Sequence, residues 1–360
     1  MLIPSTTGRG LVNLVAELER RLRGSSIADP LDADLAALVP EGPSVCLVLF
    51  DGLGASQAAQ SEHFSGSIRS VLHAPFPTTT TVSLASVATG RVARGHGVVG
   101  HMMWLPQAGT VANVLKFITP EGRPLRTDTR TFLPGETLWE RLRSAGIEPV
   151  TVQPGGFAGS PLSQALYRGC RFEGVWSKSE WVEATADLAS VPGRFVFAYW
   201  PDVDVAAHVS GRASAEYRRA VTDAGRLWER LTQRVTVPLI GTADHGHLDY
   251  RESGKLLLRE PMMRELTWFG DSRALMARGD TSLAEELLGP TGADLYGPEA
   301  FDPWFGHDPE PHPELAERLP HVVALAPDER LLLPRGFDRR LIGYHGGLSR
   351  AEVEIPLLVA

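Results

Sequence analysis

A chain of 360 residues, 43% hydrophobic and 22% charged, has the composition of a soluble globular protein with room for one large domain or two small ones. A net charge of −8 without a long basic run argues against nucleic acid as a bulk partner, so phosphate chemistry here would need a local positive source such as a metal. Two distant cysteines, Cys46 and Cys170, exclude a disulfide framework and a thiolate metal site, and no apolar run is long enough to cross a membrane. The N-terminal stretch lacks the basic start and apolar core of a signal peptide, which leads to the expectation of a cytoplasmic protein.

In chain order, Leu11, Leu14, Val15, Leu18 and Leu22 give the stripe of an amphipathic first helix. Ser44 to Phe50 is a continuous apolar run, as in a strand buried on both faces of a parallel sheet, and it ends in Asp51. A carboxylate at the C-terminal end of such a strand stands where open α/β sheets bind ligands, a reading favoured over a cap for a helix over Ala55 to Gln60. The stretch PFPTTTTVSLASVATG, Pro75 to Gly90, follows. Hydroxyl residues precede a small apolar run and a glycine ends it, so a threonine should stand at the mouth of a helix, where unpaired N–H groups favour an anion. The loop RVARGHGVVGHMMW, Arg91 to Trp104, holds His96 and His101; between glycines, a structural role for these rings is favoured over ligation.

Strands and helices then alternate. Strands are expected over Thr110–Phe117, Pro149–Gln153, Arg194–Trp200 and Val237–Ala243, and helices over Glu136–Ala145, Pro161–Tyr167, Lys178–Leu188 and Ala213–Leu231. This predicts an α/β fold with a mostly parallel central sheet and helices on both faces. From about Tyr250 to Leu341 the texture becomes rich in proline and charge, with strand-like pieces at Ala274–Ala277 and Val322–Ala326. That change divides the chain into a catalytic core, residues 1–249 and 342–360, and a small inserted cap, residues 250–341. The polar, proline-rich make-up of the cap, above all Asp308 to Glu314, predicts few ties to the core. A strand at Ile355 to Ala360 closes the chain.

The strand ends carry Asp51, Asp204, His208, Asp244 and His245, and a glycine-flanked loop carries His345. Three carboxylates on one sheet edge would repel one another strongly unless a divalent metal intervened. Imidazole mixed with carboxylate suits zinc, or manganese where carboxylates dominate. Six ligands suit two metals about 3.5–4 Å apart, an arrangement used for phosphoryl transfer.

Together, VLFDGLG, FPTTTTVSLASVATG with GHGVVG, PDVDVAAH, TADHGH and GYHGG resemble the alkaline phosphatase superfamily, and within it the type I phosphodiesterase/nucleotide pyrophosphatase branch. The motifs span residues 45 to 347 in the family's order. The resemblance implies a two-zinc phosphoric ester hydrolase acting on a small phosphate ester, with Thr80 as nucleophile and a phospho-threonine intermediate. It assigns Asp51, Thr80, Asp244 and His245 to one metal and Asp204, His208 and His345 to the other, leaving Asp202 as a cap of its loop. Where the family is expected to carry an asparagine three residues after the threonine, to hold a phosphate oxygen, this chain has Ser83. A phosphomutase, a phosphonate hydrolase and a non-catalytic relative with the same fold are the alternatives. Neither Pro75–Gly90 nor the metal motifs hold a lysine or arginine, which favours a singly charged diester over a monoester. Trp104, Phe117, Phe157 and Trp176 are candidates for an apolar wall beside it.

Overall fold

The computed structural model describes residues 1–258 and 264–360, so the part of the expected cap at 259–263 lies outside the described residues. A seven-stranded sheet runs in the order Ile68–His73, Glu354–Val359, Leu239–Thr242, Val45–Phe50, Arg194–Trp200, Glu148–Pro154, Arg171–Val175. Within it only Glu354–Val359 is antiparallel to its neighbours; the pairs from Leu239–Thr242 to Arg171–Val175 are parallel. The mostly parallel α/β sheet is therefore present as expected. Val45–Phe50 lies at its centre with all residues buried, which is why its sequence shows no alternation.

The apolar stripe at the N-terminus forms the helix Leu11–Arg23, ended by Gly24 in the left-handed conformation. Thr80–Thr89 forms a helix buried on every side, and Gly90 ends it in the same way. That environment explains a helix made of small residues with no polar face. Ala215–Thr232 is amphipathic and starts at Ser214, whose hydroxyl accepts the Tyr217 N–H.

A second sheet is antiparallel throughout, in the order Asp294–Tyr296, Val322–Leu325, Ala274–Arg278, Thr267–Gly270, Met102–Leu105, Thr110–Asn113. Its last two strands come from the stretch assigned to the core on sequence, so the 250–341 segment and the core share one sheet. The strand expected over Thr110–Phe117 stops at Asn113, and Phe117 takes a left-handed φ of 51°, uncommon for an aromatic residue.

The expectation of few ties between Asp308–Glu314 and the core is corrected. Arg91 donates to Asp308 and Glu310 at 2.7 and 2.9 Å, and His312 is buried against Gly97. Just before this stretch, the rings of Trp304 and Phe305 each lie 5.2 Å from that of Phe76. Polar composition misled here because the charged residues are spent on ion pairs to Arg91 and Arg94, that of Asp308 buried, and the few aromatic ones make the packing contacts. Arg91 and Arg94 do point away from the threonines, Arg94 pairing with Asp302.

One ion pair fastens three helices behind the threonine segment. The Arg141 guanidinium donates to both oxygens of the fully buried Glu19, at 2.6 and 3.0 Å, and to the Thr89 carbonyl at 2.9 Å. Removing the arginine would take two hydrogen bonds from the buried Glu19 carboxylate and leave Arg23 as its remaining cation, so Arg141→Ala is expected to lower unfolding free energy by about 1.5–3 kcal/mol. Equilibrium denaturation measures this; a loss under about 1 kcal/mol would mean that Glu19 finds other partners.

Candidate metal centre

Three adjacent central strands deliver the carboxylates. Asp51 follows Val45–Phe50, Asp244 follows Leu239–Thr242, and Asp204 lies in the helix Asp202–Ser210 that follows Arg194–Trp200. Neighbouring strands run about 4.8 Å apart, so their parallel C-terminal ends bring the three side chains together. The Asp204 N–H donates to the Asp51 carbonyl at 2.9 Å, and the Gly52 N–H donates to Asp244 Oδ1 at 2.9 Å. Gly52 has φ of 75°, and a Cβ there would stand 2.7 Å from His247 Nε2 and 2.8 Å from the Asp204 Cα, so only glycine fits.

The imidazoles are oriented by the backbone. His208 Nδ1 lies 2.8 Å from the Gly343 carbonyl, His345 Nδ1 2.8 Å from the Thr78 carbonyl, and His245 Nδ1 3.2 Å from the Gly246 carbonyl. A carbonyl only accepts, so each Nδ1 carries the proton and each Nε2 is left with a lone pair. Those Nε2 atoms face the carboxylates: His208 at 3.3 Å and His345 at 3.9 Å from Asp204 Oδ1, and His245 at 3.5 Å from Asp244 Oδ2 and 3.7 Å from Asp51 Oδ1. Fixing a ring through its far nitrogen is how metal-ligating histidines are commonly held.

The four threonines divide by the fate of their hydroxyls. Thr78 donates to the Gly347 carbonyl and Thr81 to the Gly100 carbonyl, both at 2.9 Å, while Thr79 bonds to Asp271. Thr80, the first helical residue, places Oγ1 3.2 Å from His245 Nε2 and is the most exposed of the four at 9%. Asp202 pairs with Lys178 at 3.7 Å, away from the cluster. Ser83, fully buried, donates to the Asp244 carbonyl at 2.8 Å and so braces the loop that carries that carboxylate. His96 and His101 are structural as favoured. His96 Nδ1 accepts the Val98 N–H and its Nε2 meets Ser86, while His101 Nε2 meets the Asn113 amide.

Two residues escaped sequence reasoning. His247 places Nε2 2.9 Å from Asp204 Oδ1, its ring 5.0 Å from that of His208. The second histidine of TADHGH was the available signal, but a ring two residues after a ligand had no separate reason to turn inward. Tyr199 donates a short hydrogen bond to Asp51 Oδ2 from inside its strand, where an aromatic residue reads as core.

The electrostatics call for positive charge. Burial, with Asp204 and Asp244 close by, pushes Asp51 well above the usual carboxylate range. Burial also acts on Asp204, but His208, His247 and His345 outweigh it and hold that carboxyl below its usual range. Asp51 Oδ1 and Asp244 Oδ2 are buried without a hydrogen-bond partner, which a cation would supply. Among the described residues, three sets of converging ligand atoms could hold one: Asp51, Asp244 and His245; Asp204, His208 and His247; Asp204, His245 and His345. All are oxygen and imidazole donors, suited to a divalent ion.

No curated protein matches the sequence significantly. Among solved structures, murine ectonucleotide pyrophosphatase/phosphodiesterase 5 is similar over 87% of each chain, with a TM-score of 0.65 at 19% identity. A form of that murine protein described as inactive through a threonine-to-alanine change, in complex with AMP, matches over 87% of each chain with a TM-score of 0.63 at 18% identity. Phosphonoacetate hydrolase from Sinorhizobium meliloti 1021, with phosphonoacetate, matches over 87% of this chain and 89% of its own, with a TM-score of 0.60 at 16% identity. These likenesses show the shared fold. A family model described as Type I phosphodiesterase / nucleotide pyrophosphatase matches residues 45–269, well over half of the sequence, and the chain belongs to that family.

Proposed function

We propose that this phosphoester hydrolase is a two-zinc phosphodiesterase that works through a covalent phospho-threonine on Thr80. The observation that carries the reading is the set of three Nδ1-anchored imidazoles whose Nε2 atoms meet the buried Asp51 and Asp244 and the partly buried Asp204, beside the one threonine hydroxyl turned toward them. Asp51, Thr80, Asp244 and His245 hold one ion; Asp204, His208 and His345 hold the other. His247 differs from these three rings: its Nε2 meets Asp204 directly, and its Nδ1 has no backbone acceptor. It fits a donor that orients Asp204 better than a ligand. Zinc suits this donor set, and when bound the ions lower the pKa of the nucleophile and stabilise charge on the phosphoryl oxygens.

The chain supplies position. Thr80 Oγ forms the bond to phosphorus, the bond to the ester oxygen breaks, and the alcohol leaves with a proton. Water then attacks the same phosphorus, releasing the second product and restoring the Thr80 hydroxyl. Val82 and Ser83 donate their N–H groups to the Thr79 carbonyl, which leaves those of Thr80 and Thr81 at the helix mouth to suit equatorial phosphoryl oxygens. The inactive threonine-to-alanine murine relative with AMP supports both the nucleophile and a nucleotide-like ester as substrate. The likeness to phosphonoacetate hydrolase favours a second reading, cleavage of a phosphonate at the same centre.

The four candidates for an apolar wall separate on exposure. Phe117 is buried and Trp104 half-buried, whereas Phe157 is 39% and Trp176 80% exposed. Both follow strands whose C-terminal ends lie on the same sheet edge as Asp51, and the Phe157 ring lies 6.2 Å from that of Tyr199. Exposed aromatic rings there suit the second organic group of a diester.

Three outcomes are expected. Chelation should abolish turnover and zinc restore it; full activity in protein shown by elemental analysis to be metal-free would end the two-zinc reading. Thr80→Ala should lower kcat by about 10⁴ or more, and Thr79→Ala by no more than about 100-fold. The reverse order would shift the nucleophile by one residue. Finally, kcat/KM for bis(p-nitrophenyl) phosphate should exceed that for p-nitrophenyl phosphate, with Phe157→Ala narrowing the gap. A clear monoester preference would point to a cation supplied from outside the metal motifs.

A further inference from the structure

The second sheet meets the candidate centre through a hairpin. Asp271 and Ala274 exchange backbone hydrogen bonds at 3.0 and 3.1 Å, leaving Ser272 and Arg273 as a two-residue loop between Thr267–Gly270 and Ala274–Arg278. The tip has two arms. Asp271, 5% exposed, accepts the His101 N–H at 3.2 Å and bonds the Thr79 side chain. Thr79 is the N-cap residue of the Thr80–Thr89 helix, yet its hydroxyl makes no capping bond, in keeping with its turn toward Asp271.

Arg273 is the other arm. Its buried guanidinium meets Glu352 at 3.4 Å and donates to the carbonyls of Ala326 and Pro327 at 2.8 and 2.7 Å. Glu352 in turn accepts the Gly347 N–H at 2.8 Å. Between the arms lies the His345 loop. Gly346 has φ of 115°, and a Cβ there would stand 2.5 Å from that of Asp271. Thr78 closes the circuit: its carbonyl takes His345 Nδ1 and its hydroxyl accepts the Gly346 N–H at 3.1 Å.

Packing alone gives no reason for a carboxyl at this place. Burial pushes Asp271 up to about 7 even with both hydrogen bonds, and a small apolar side chain would avoid that cost. What the acid provides is a fixed acceptor for Thr79, the neighbour of Thr80, and for the His101 N–H, while its side chain packs beside Gly346, the neighbour of His345.

We propose that the Asp271–Arg273 tip is a positioning element that sets Thr80 and His345 relative to each other and so couples the second sheet to both halves of the metal centre. It rests on the reading of Thr80 as nucleophile and His345 as ligand. Asp271 touches neither the substrate nor the reacting atoms; it acts through Thr79 and the His345 loop.

The test is a double-mutant cycle on zinc-loaded protein with Asp271→Ala, Thr79→Val and the pair, following kcat and KM on bis(p-nitrophenyl) phosphate, zinc affinity by chelator competition, and Tm. Each single change should lower kcat about 10–100-fold, as expected for a misplaced catalytic group, with KM nearly unchanged. Asp271→Ala should weaken zinc binding. The pair should be no worse than the worse single change, because both remove the same bond. Asp271→Asn, which keeps an acceptor oxygen, should recover part of kcat. Unchanged kcat and zinc affinity in folded Asp271→Ala, or strictly additive effects, would overturn the proposal, as would a loss of Tm alone. If wild-type protein hydrolyses none of the phosphorus compounds offered, the hydrolase reading falls separately. The zinc arm then decides: weaker, non-additive binding in the two variants upholds the coupling, and unchanged binding ends it.

Discussion

Mutual repulsion among Asp51, Asp204 and Asp244 is the constraint around which the protein is arranged. Parallel strands set the three carboxylates side by side, and burial removes most of the water that would screen Asp51 and Asp244, less of it around Asp204. The surroundings supply partial answers: Tyr199 and the Gly52 N–H each take one carboxylate oxygen, and histidines gather around Asp204. Two oxygens remain buried without a partner, one each on Asp51 and Asp244. A cluster costly to fold without a counter-charge is well suited to bind one. The carbonyls of Thr78, Gly246 and Gly343 sustain the arrangement by fixing which imidazole nitrogen is free to face the acids.

Much of this was legible in the sequence because the chemistry lies at element boundaries. The run Val45–Phe50 ending in Asp51, and the hydroxyls before a small apolar helix, are local patterns with local causes. What escaped depended on distant partners. Ser83 stands out in the sequence only as the residue three after Thr80, and its bond to the Asp244 carbonyl comes from a distant loop. His247 and Tyr199 act only because another strand brings a carboxylate to them. Ile68–His73, with only Leu72 buried and with Arg69 and Ser70 in it, shows no strand signal; it pairs with Glu354–Val359, a strand from the far end of the chain.

The second sheet shows why composition alone misjudged the 250–341 segment. Charge and proline suggested a loosely held cap, yet its strands continue into Met102–Leu105 and its acids lock onto Arg91 and Arg94. Gly346, where a Cβ would stand 2.5 Å from that of Asp271, marks how closely this segment approaches the His345 loop.

The central claim, that this cluster is a pair of divalent-ion sites, is tested most directly by anomalous diffraction at the zinc edge from crystals of zinc-loaded protein. The account predicts two peaks, one among Asp51, Thr80, Asp244 and His245 and one among Asp204, His208 and His345. A single peak, or none at these residues, would contradict it.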